Sequence, residues 1–527
     1  MVEADYILVG AGTAGCVLAD RLSACGRFTV LLLEAGPSDR RLPIQVPIGY
    51  GMSFFNPAVN WMHRTEPEPA LAGRSGYWPR GKVLGGSGSI NAMVHVQGQP
   101  VDIADWARAG DSSWSVEALS ACLERASQRI EGKDVSRDTH PICEAFMAAG
   151  GQAGFPEAAD LSRLGADGIG HFRIATRNGL RLSSARAYLR PAMRRSNLVV
   201  EVEAHANRIG FDGLRAREVQ FSKAGSARVA RARREVILCA GSINSPKLLQ
   251  LSGIGPGSTL KAHGITVLCE RNGVGRNLQD HLCIDHLYRS RVPTLNQQFG
   301  SISGKMIAGL RYLLFRNGPL ALSVNQAGGF VRSRPGLAAP NMQLYFSPLS
   351  YSRTPPGTRP LMRPDKFPGF LLSAQPCRPT SRGFLEIVSA EPAVAPRIVP
   401  NSLSTEHDVA ELLEGARLLR QLAATPALRD VIETELMPGS AAQSDAEMLA
   451  DIRQRASTVF HPVSTCRMGR DRETDVVDPS LRVHGVEGLR VVDASIFPSI
   501  PSGNTNAPTL MVAEKGADLI LGTSAPR

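Results

Sequence analysis

The stretch DYILVGAGTAGCVLADRLSACGRFTVLLLEAG, residues 5–36, holds a complete supersecondary unit. Short apolar runs at Tyr6–Val9 and Val30–Leu33 predict two buried strands, and residues 14–22 between them have helical periodicity. The turn into the helix reads G-x-G-x-x-G, and Glu34 follows the second strand. This order predicts a βαβ unit that binds the diphosphate of a dinucleotide at the helix N-terminus, without separating FAD from NAD.

The three glycines of this turn have different expected tasks. Gly10 allows a tight turn, Gly12 allows the backbone to approach a pyrophosphate, and Gly15 allows the helix to pack closely on the strand. Glu34 is expected to bind the ribose hydroxyls of an adenosine.

Size and composition are those of a globular protein with two or three domains. The chain has 527 residues, of which 43% are apolar and 20% are charged. Its formal charge of +11 would suit an anionic partner. Because the basic residues are scattered and no nucleic-acid motif accompanies them, we expect solvated surface charge and no nucleic-acid partner. The charge is also compatible with a basic face that rests on a membrane surface, and this alternative is left open.

The cysteines and the hydropathy of the sequence indicate whether metal sites, disulfides or membrane spans are expected. The nine cysteines are irregularly spaced without a C-x-x-C pair, which argues against a disulfide framework and against a zinc site, so no metal is expected. No apolar run approaches the ~20 residues of a membrane span. The predicted first strand leaves no room for a signal peptide, so we expect a cytoplasmic protein.

Two further segments carry glycine-rich turns. RGKVLGGSGSIN, Arg80–Asn91, has apolar anchors on both sides, so its glycines should serve positive φ angles or the close approach of a ligand. REVILCAGSINSPKLLQLSGIG, Arg234–Gly255, predicts a strand, a glycine turn and a helix that starts through Ser245 and Pro246. Residues 101–204, between the two segments, read as helices and loops.

The second half of the chain predicts a different kind of sheet. Between Tyr288 and Pro400, strand-like pieces such as Met342–Phe346 and Gly383–Ser389 alternate with proline-rich loops, which favours an antiparallel sheet that carries a substrate site. The segment LRVVDAS, residues 489–495, returns to a buried strand. The predicted fold is therefore α/β, with a Rossmann-like dinucleotide domain of mixed sheet built from both ends of the chain and an inserted α+β substrate domain.

Six motifs follow one another along the chain. They are the N-terminal fingerprint ending in Glu34-Ala35-Gly36, GKVLGGSGSIN (81–91), GSINSPKLLQLSGIG (241–255), GVGRNLQDH (273–281), FHPVSTCRMG (460–469) and VVDASIFPSIPSGNTNAPTLM (491–511). In this order they give the chain a resemblance to the glucose–methanol–choline (GMC) oxidoreductases, which oxidise alcohols with FAD. The resemblance covers nearly the whole length and is strongest toward choline-dehydrogenase-like and alcohol dehydrogenase members.

The resemblance also implies a domain organisation. It implies an N-terminal region over 1–300, mainly FAD-binding with a partly helical insertion at about 101–204, and a substrate-binding domain over 301–455. A C-terminal segment, 456–527, is expected to return to the FAD domain with the catalytic residues.

The resemblance implies that His461 is the catalytic base and that Asn504 is its partner. A neutral imidazole titrates near working pH, as a general base requires. A carboxamide can donate to a developing alkoxide without competing for its proton. Asn506 is expected to cap the following helix and to face the isoalloxazine ring, whereas Asn504 faces the substrate. Asp280 and His281 are expected to be structural, since nothing in the sequence pairs them with the base.

The expected cofactor is FAD, held without a covalent bond, because Ile90 stands where some relatives tether the flavin through a histidine. Asp493 is expected to orient the ribityl or pyrophosphate groups, and Ala206 to place its backbone at the adenine. The residues expected to bind FAD are Gly10, Gly12, Thr13, Ala14, Gly15, Glu34, Ala35, Lys82, Leu84, Gly85, Gly86, Ser87, Asn91, Ala92, Met93, Val94, Ala206, Ala240, Gly241, Asp493, Ala494, Asn504, Thr505 and Asn506.

Two residues depart from the family pattern. His95 stands where an aromatic residue or alanine is usual, and Ser464 replaces a common glycine next to the active site.

The expected activity is oxidation of a primary alcohol to an aldehyde, with electrons passed to a quinone, a dye or another acceptor. Two alternatives stay open, an oxidase that uses oxygen and a lyase in which FAD is only structural. A neutral aliphatic, aryl or polyether alcohol is the preferred substrate, since choline would require carboxylates and aromatic faces around its ammonium group. The sequence does not determine the oligomeric state.

Overall fold

The computed structural model describes residues 2–351 and 364–523. Part of the proline-rich stretch predicted between strands, residues 352–363, lies outside these ranges. Within them, the α-helices are α1 Thr13–Ser23, α2 Leu42–Gln45, α3 Tyr50–Ser53, α4 Pro100–Ala109, α5 Val116–Arg129, α6 Cys143–Gln152, α7 Arg190–Ala192, α8 Gly241–Leu251, α9 Gly257–Ala262, α10 Leu295–Gly300, α11 Ile302–Phe315, α12 Glu406–Ala424, α13 Pro426–Arg429, α14 Asp445–Arg455 and α15 Asn506–Leu521.

The strands in the described ranges form two large sheets and several small ones. They are β1 Val2–Val9, β2 Val30–Leu33, β3 His63–Arg64, β4 Tyr77–Trp78, β5 Gly168–His171, β6 Thr176–Arg177, β7 Leu180–Arg181, β8 Leu198–Glu201, β9 Ala204–Asp212, β10 Arg215–Lys223, β11 Ser226–Leu238, β12 Ile254–Gly255, β13 Cys269–Glu270, β14 Leu282–Ser290, β15 Ala327–Val331, β16 Met342–Ser347, β17 Gly369–Pro376, β18 Phe384–Glu386, β19 Arg397–Val399, β20 Ile432–Met437, β21 Ser457–Thr458 and β22 Leu489–Val491.

The first large sheet is mixed and contains the predicted βαβ unit. Its order is β8-β2-β1-β11-β10-β9, and β22 pairs with β11. The pairs β8–β2, β2–β1, β1–β11 and β11–β22 are parallel, whereas β10 is antiparallel to both of its neighbours. Every residue of β2 is buried, as expected for a strand in the parallel part of a sheet. The Rossmann-like fold class is confirmed, and β22 shows that the C-terminal segment returns to this sheet.

The second large sheet is antiparallel, with the order β20-β14-β17-β16-β15-β5, and β21 pairs with one end of β14. The predicted strand at Met342–Phe346 is its strand β16. The predicted strand at Gly383–Ser389 is shorter, because β18 pairs only with the three residues of β19 in a separate small sheet. Residues 101–204 supply strands to both large sheets, β5 to this one and β8 to the first. The domain boundaries at residues 300 and 455 stay predictions.

Helix α8 begins four residues earlier than predicted, at Gly241 rather than at Ser245. Its sixth residue is Pro246, which has no N–H to donate to the carbonyl of Ser242. The hydroxyl of Thr465 donates to that carbonyl at 2.6 Å instead. A side chain from a distant part of the chain therefore allows the proline to lie inside the helix.

Candidate active site

A cavity of about 850 Å³ lies between the two large sheets. The turn after β1, the segment before β3, residues 79–81, most of residues 86–94 and the first turn of α8 contribute to its wall. Residues 280–283, 456–462 and 504–506 complete the wall. The cavity thus joins the dinucleotide-binding turn to the C-terminal segment that contains His461.

Two glycine contacts bring the cavity wall together. A Cβ on Gly15 would lie 1.9 Å from the carbonyl oxygen of Gly10, so α1 packs on its own turn as predicted. Gly86 has a φ of +54°, and a Cβ on it would lie 2.7 Å from the Cα of Gly12. The second glycine-rich segment therefore packs directly on the first, and only glycine fits at position 86.

Glu34 lies at the end of β2 with both carboxylate oxygens in use. Oε2 accepts a hydrogen bond from the N–H of Ala11, and Oε1 accepts one from the N–H of Gly36, each at 2.8 Å. Burial raises the pKa of this carboxyl group to about 7. Because a carboxylate has about four acceptor positions, two remain for the hydroxyls of a ribose.

The N-termini of α1 and α15 both reach the cavity. In these two fully described helices, no side chain caps the N-terminus and the first turn contains no acidic residue. Thr13 and Ala14 of α1 line the cavity, as do Asn506 and its neighbour Thr505. Unpaired N–H groups and the helix dipole make both ends suitable for anionic groups.

Asn506 connects these two helix ends and does not cap α15. The residue at the cap position is Thr505, and the Oδ1 of Asn506 accepts a hydrogen bond from the Oγ1 of Thr13 at 2.8 Å. The prediction of a capping asparagine is therefore wrong. With Oδ1 in use, Nδ2 is the group that Asn506 can offer to a ligand.

Asp493 organises the start of α8. Its Oδ2 accepts hydrogen bonds from the N–H of Gly241 at 2.8 Å and from the Oγ of Ser245 at 2.6 Å, and its Oδ1 accepts one from the N–H of Ser495. Burial raises the pKa of Asp493 despite these donors. Gly241 has a φ of +79°, lines the cavity and would present a Cβ to open space, since no protein atom lies within 4 Å.

His461 is part of a chain of hydrogen bonds that ends at a backbone carbonyl. The Nε2 of His281 lies 2.9 Å from the carbonyl oxygen of Cys377, and its Nδ1 lies 3.0 Å from the Nδ1 of His461. Because a carbonyl only accepts, the hydrogen of neutral His281 is on Nε2, and its Nδ1 is an acceptor. His461 must then carry its own hydrogen on Nδ1. Its Nε2, which faces Asn504, is therefore unprotonated and has a lone pair that can accept a hydrogen.

A second chain orients Asn504. The OH of Tyr345 donates to the Oε1 of Gln375 at 3.0 Å, and the amide of Gln375 donates to the Oε1 of Gln343 at 3.2 Å. Gln343 in turn donates to the Oδ1 of Asn504 at 3.4 Å. The Nδ2 of Asn504 is thereby directed to the Nε2 of His461, at 3.1 Å.

Asp280 fixes the backbone of His461. Its Oδ1 accepts a hydrogen bond from the His461 N–H at 2.7 Å, and its Oδ2 accepts one from the hydroxyl of Thr458. Arg80 donates to the carbonyl of Phe460, a residue held at a φ of +73°. These contacts fix the backbone of residues 460 and 461 and thereby the position of the imidazole.

The expectation that nothing pairs Asp280 and His281 with the base is therefore wrong. The pairing depends on β21, in which Thr458 lies opposite Leu282 of β14. A strand of two residues has no periodicity to detect, so the sequence contains no local signal for this contact.

Burial determines the charge state of the group around His461. Burial, with His281 and Arg80 nearby, lowers the pKa of His461 well below its ordinary value. Burial also lowers the pKa of His281 to about 4 and raises the pKa of Asp280 to about 7. At neutral pH both imidazoles are therefore uncharged. The expectation that His461 titrates near working pH is wrong for this structure, because burial disfavours the charged ring.

Aromatic rings form one wall of the cavity beside His461. The ring of Phe54 lies 5.3 Å from those of Phe460 and Tyr77, and Phe55 stacks on Tyr77 with centroids 4.8 Å apart. All four line the cavity. No local sequence pattern marks these four residues as neighbours, because their positions depend on how the segment around α3 folds over the cavity.

Most residues expected to bind FAD, and both expected catalytic residues, line the cavity. Gly15, Lys82, Leu84 and Gly85 do not. Lys82 lies over the ring of Trp61, at 4.9 Å from its centroid, and the N–H groups of Leu84 and Gly85 donate to backbone carbonyls. The predicted residues that line the cavity are Gly10, Gly12, Thr13, Ala14, Glu34, Ala35, Gly86, Ser87, Asn91, Ala92, Met93, Val94, Ala206, Ala240, Gly241, His461, Asp493, Ala494, Asn504, Thr505 and Asn506.

The residues that depart from the expected pattern, and Ile90, are all buried. Ile90 packs in a small apolar cluster and also lines the cavity. Burial lowers the pKa of His95 to about 4, so its imidazole is neutral. Ser464 has a φ of +73°, and its hydroxyl has no hydrogen-bond partner in the described structure.

Neither a metal site nor a membrane-spanning helix is found in the described ranges. There, no group of three or more histidine, cysteine, aspartate or glutamate residues could hold a metal ion. In the same part of the chain, no helix has the length and apolar character needed to cross a membrane.

Comparison with known proteins gives matches over nearly the full length. The GMC oxidoreductase family matches residues 4–283 with its N-terminal part and residues 379–513 with its C-terminal part. The chain is 41% identical to an oxygen-dependent choline dehydrogenase of Photobacterium profundum, over 99% of this chain and 93% of that protein. It is 39% identical to an alcohol dehydrogenase [acceptor] of Pseudomonas putida, over 98% and 95% of the two chains. Among solved structures, pyridoxine 4-oxidase from Mesorbium loti superposes with a TM-score of 0.85 at 29% identity, over 97% of this chain and 98% of that one.

Proposed function

The chain belongs to the GMC oxidoreductase family, and from this premise we propose that it is an FAD-dependent dehydrogenase that oxidises a neutral primary alcohol to an aldehyde. One observation supports the proposal most directly. The Nε2 of His461 is unprotonated and lies 3.1 Å from the amide nitrogen of Asn504 at the wall of the cavity.

The residues around the cavity fit FAD. Gly241 would present a Cβ to the cavity, so its backbone leaves room for a ligand. Two uncapped helix N-termini suit anionic groups, and Glu34 retains acceptor positions for a ribose. Ile90 offers no atom for a covalent bond to a flavin. FAD, when bound, supplies the acceptor for the two electrons that leave the alcohol.

His461 and Asn504 divide the handling of the substrate hydroxyl. The Nε2 of His461 accepts the hydroxyl proton, and the hydrogen on its Nδ1 remains bonded to His281. Nδ2 of Asn504 has two hydrogens, so it can donate to the substrate oxygen as negative charge develops there. The carboxyl group of Asp280 accepts a hydrogen bond from the backbone N–H of His461 and so holds the segment that carries the imidazole.

The cavity wall favours a neutral alcohol over a quaternary ammonium substrate. The aromatic rings beside His461 suit an apolar or aryl group. Two carboxylates of the cavity wall have guanidinium groups nearby, since Arg80 lies near Asp280 and Arg74 lies near Glu68. A cationic alcohol would therefore meet guanidinium groups as well as aromatic faces.

The decisive experiment follows flavin reduction in the absence of oxygen. We expect His461→Gln to lower the rate of reduction by an alcohol roughly 10²-fold or more while FAD stays bound, because the variant lacks a base. His407→Gln is the matched control, since His407 is exposed and lies on α12. A His461→Gln enzyme with wild-type reduction rates would contradict the proposed role of His461.

The same measurement addresses the alternative reactions. A lyase with structural FAD would leave the oxidised flavin spectrum unchanged when substrate is added. Rapid mixing of the reduced enzyme with oxygen or with a quinone separates an oxidase from a dehydrogenase, and faster reoxidation by oxygen would overturn our preference for a dehydrogenase.

We also propose that the protein works in a reducing compartment. All nine cysteines are free thiols, and seven of them are buried. Free thiols are usual where glutathione and thioredoxin keep cysteines reduced.

A further inference from the structure

Helix α11 exposes an apolar face that the proposed reaction does not use. Only Ala308 and Tyr312 of its fourteen residues are buried. Ile302 is 80% exposed, and Leu313 is 69% exposed. The other exposed apolar side chains of the helix are Met306, Ile307, Leu310, Leu314 and Phe315. Contiguous exposed apolar surface of this kind marks an interaction site.

Six of these seven exposed apolar residues form one stripe with basic residues on its two sides, and Phe315 lies outside it. At 3.6 residues per turn, Ile302, Met306, Ile307, Leu310, Leu313 and Leu314 fall within an arc of roughly 140°, opposite Tyr312. Lys305 and Arg311 lie on either side of this arc. The helix contains no acidic residue, and Arg316 follows its last turn. An apolar stripe between basic side chains is typical of helices that lie in the surface of an anionic bilayer.

Contacts with the body of the protein hold the helix in place. The OH of Tyr312 donates to the carbonyl of Gly179 at 2.8 Å. Ser301 caps the N-terminus by accepting from the N–H of Gly304, and Arg311 pairs with Asp138 at 3.2 Å. The apolar stripe is therefore presented outward by a fixed helix.

We infer that α11 docks the protein on the surface of an anionic phospholipid bilayer, with its apolar stripe in the headgroup region. A second copy of the chain is the less favourable occupant, because two facing α11 helices would bring Lys305, Arg311 and Arg316 of both copies together without an acidic partner on either helix. Anionic headgroups instead complement these side chains. The inference does not depend on the proposed reaction.

Docking at α11 would place the cavity close to the bilayer. The segment after α11 leads from Arg316 to Val324 and Asn325, which line the cavity. The N–H of Val324 donates to the OH of Tyr50, another lining residue, at 3.4 Å. An apolar alcohol or a quinone dissolved in the membrane would therefore have a short path to the site.

The test is co-sedimentation of the FAD-loaded enzyme with lipid vesicles. We expect the wild type to bind vesicles of phosphatidylcholine with roughly one third phosphatidylglycerol, and to bind pure phosphatidylcholine more weakly. The double variant Leu310→Asp, Leu314→Asp should lose at least about tenfold in binding to the anionic vesicles. Leu214→Asp is the matched control, since Leu214 is 52% exposed in the turn between β9 and β10. It should bind like the wild type.

A second measurement does not require the double variant to fold. Tryptophan fluorescence of Leu313→Trp should shift to shorter wavelength on addition of anionic vesicles, whereas that of Leu214→Trp should not. Failure of the wild type to bind anionic vesicles would overturn the inference. Light scattering tests the second copy of the chain as the occupant. A wild-type dimer that the double variant dissociates, together with no vesicle binding by the wild type, would also overturn the inference.

Discussion

The carbonyl of Cys377 determines, through two imidazole rings, which nitrogen of His461 carries a hydrogen. It accepts from the Nε2 of His281, whose Nδ1 must then accept from the Nδ1 of His461. The lone pair that remains, on Nε2, faces Asn504. A single backbone oxygen thus selects the tautomer in which His461 can act as a base toward a ligand in the cavity.

The lowered pKa of His461 predicts how the reaction depends on pH. A histidine whose pKa lies below the ordinary 6.5 stays neutral as the pH falls toward that value. We therefore expect the rate of flavin reduction at saturating alcohol to stay level from about pH 8 to 6.5 and to fall only at lower pH. Rapid mixing without oxygen across this range measures it.

The Asp280→Asn variant is the control for this profile. Burial raises the pKa of Asp280 to about 7, so a change in rate near pH 7 that disappears in Asp280→Asn belongs to that carboxyl group. A fall in rate above pH 6.5 that persists in the variant would contradict a lowered pKa for His461.

The backbone at Ser464 has a conformation that is strained for serine but would not be strained for glycine. Its φ of +73° is unfavourable for a residue with a Cβ, and its buried hydroxyl has no partner in the described structure. We expect Ser464→Gly to stabilise the protein by about 1 kcal/mol, since it removes the strain and the unpaired hydroxyl at some cost in chain entropy. Thermal unfolding measures the change.

Asn178→Gly is the comparison for Ser464→Gly. Asn178 also has a positive φ, +53°, but it is exposed and asparagine tolerates this conformation. Its replacement should gain clearly less. An unchanged or lower unfolding temperature for Ser464→Gly would show that the strain is small.

At the scale of elements, the two glycine-rich turns act as one unit. A Cβ on Gly86 would lie 2.7 Å from the Cα of Gly12, so Gly86→Ala must push the turns apart. We expect a loss of roughly 3 kcal/mol or more in the free energy of unfolding and a lower FAD content after purification. Unfolding curves and the ratio of flavin to protein absorbance measure the two effects.

Gly225→Ala separates crowding from backbone conformation. Gly225 has a φ of +75° in the turn between β10 and β11, but a Cβ there would meet no atom within 4 Å. This variant should lose only about 1–2 kcal/mol and keep its FAD. Equal losses in the two variants would argue against the contact between the turns.

The sequence predicted those elements whose signals are local. The βαβ unit combines apolar strands, glycines and Glu34 within 32 residues, so its bounds could be predicted closely except for the start of β1, which lies at Val2 rather than Tyr6. The pairing of His281 with His461 joins residues 180 positions apart through the two-residue strand β21, and α8 keeps Pro246 only through distant Thr465. His461 and Asn504 were identified from the family motifs rather than from periodicity.

At the scale of the whole molecule, a buried ion network joins the two ends of the chain. Glu514 of α15, whose side chain is 1% exposed, pairs with Arg21 of α1 and with Arg125 of α5. We expect Glu514→Gln to lower the free energy of unfolding by about 2 kcal/mol, because the partly buried Arg21 and Arg125 lose one of their two carboxylate partners and keep only Asp518. Urea unfolding followed by fluorescence measures the loss.

An exposed ion pair provides the matched control. Glu487, whose side chain is 73% exposed, lies 3.4 Å from Arg215, and Glu487→Gln should change the free energy of unfolding by less than about 1 kcal/mol. Equal losses in the free energy of unfolding for the two variants would show that the network around Glu514 does not stabilise the contact between the two ends of the chain.

The return of β22 and α15 to the first sheet also orders events during synthesis on the ribosome. A nascent polypeptide that has emerged up to α14 already contains Gly10 and Glu34. It still lacks His461, Asn504 and the helix end that meets Thr13. Such a translation intermediate has the first glycine turn but neither the residues that would deprotonate an alcohol nor the second helix end for the cofactor, so the site is complete only after Asn506 has been synthesised.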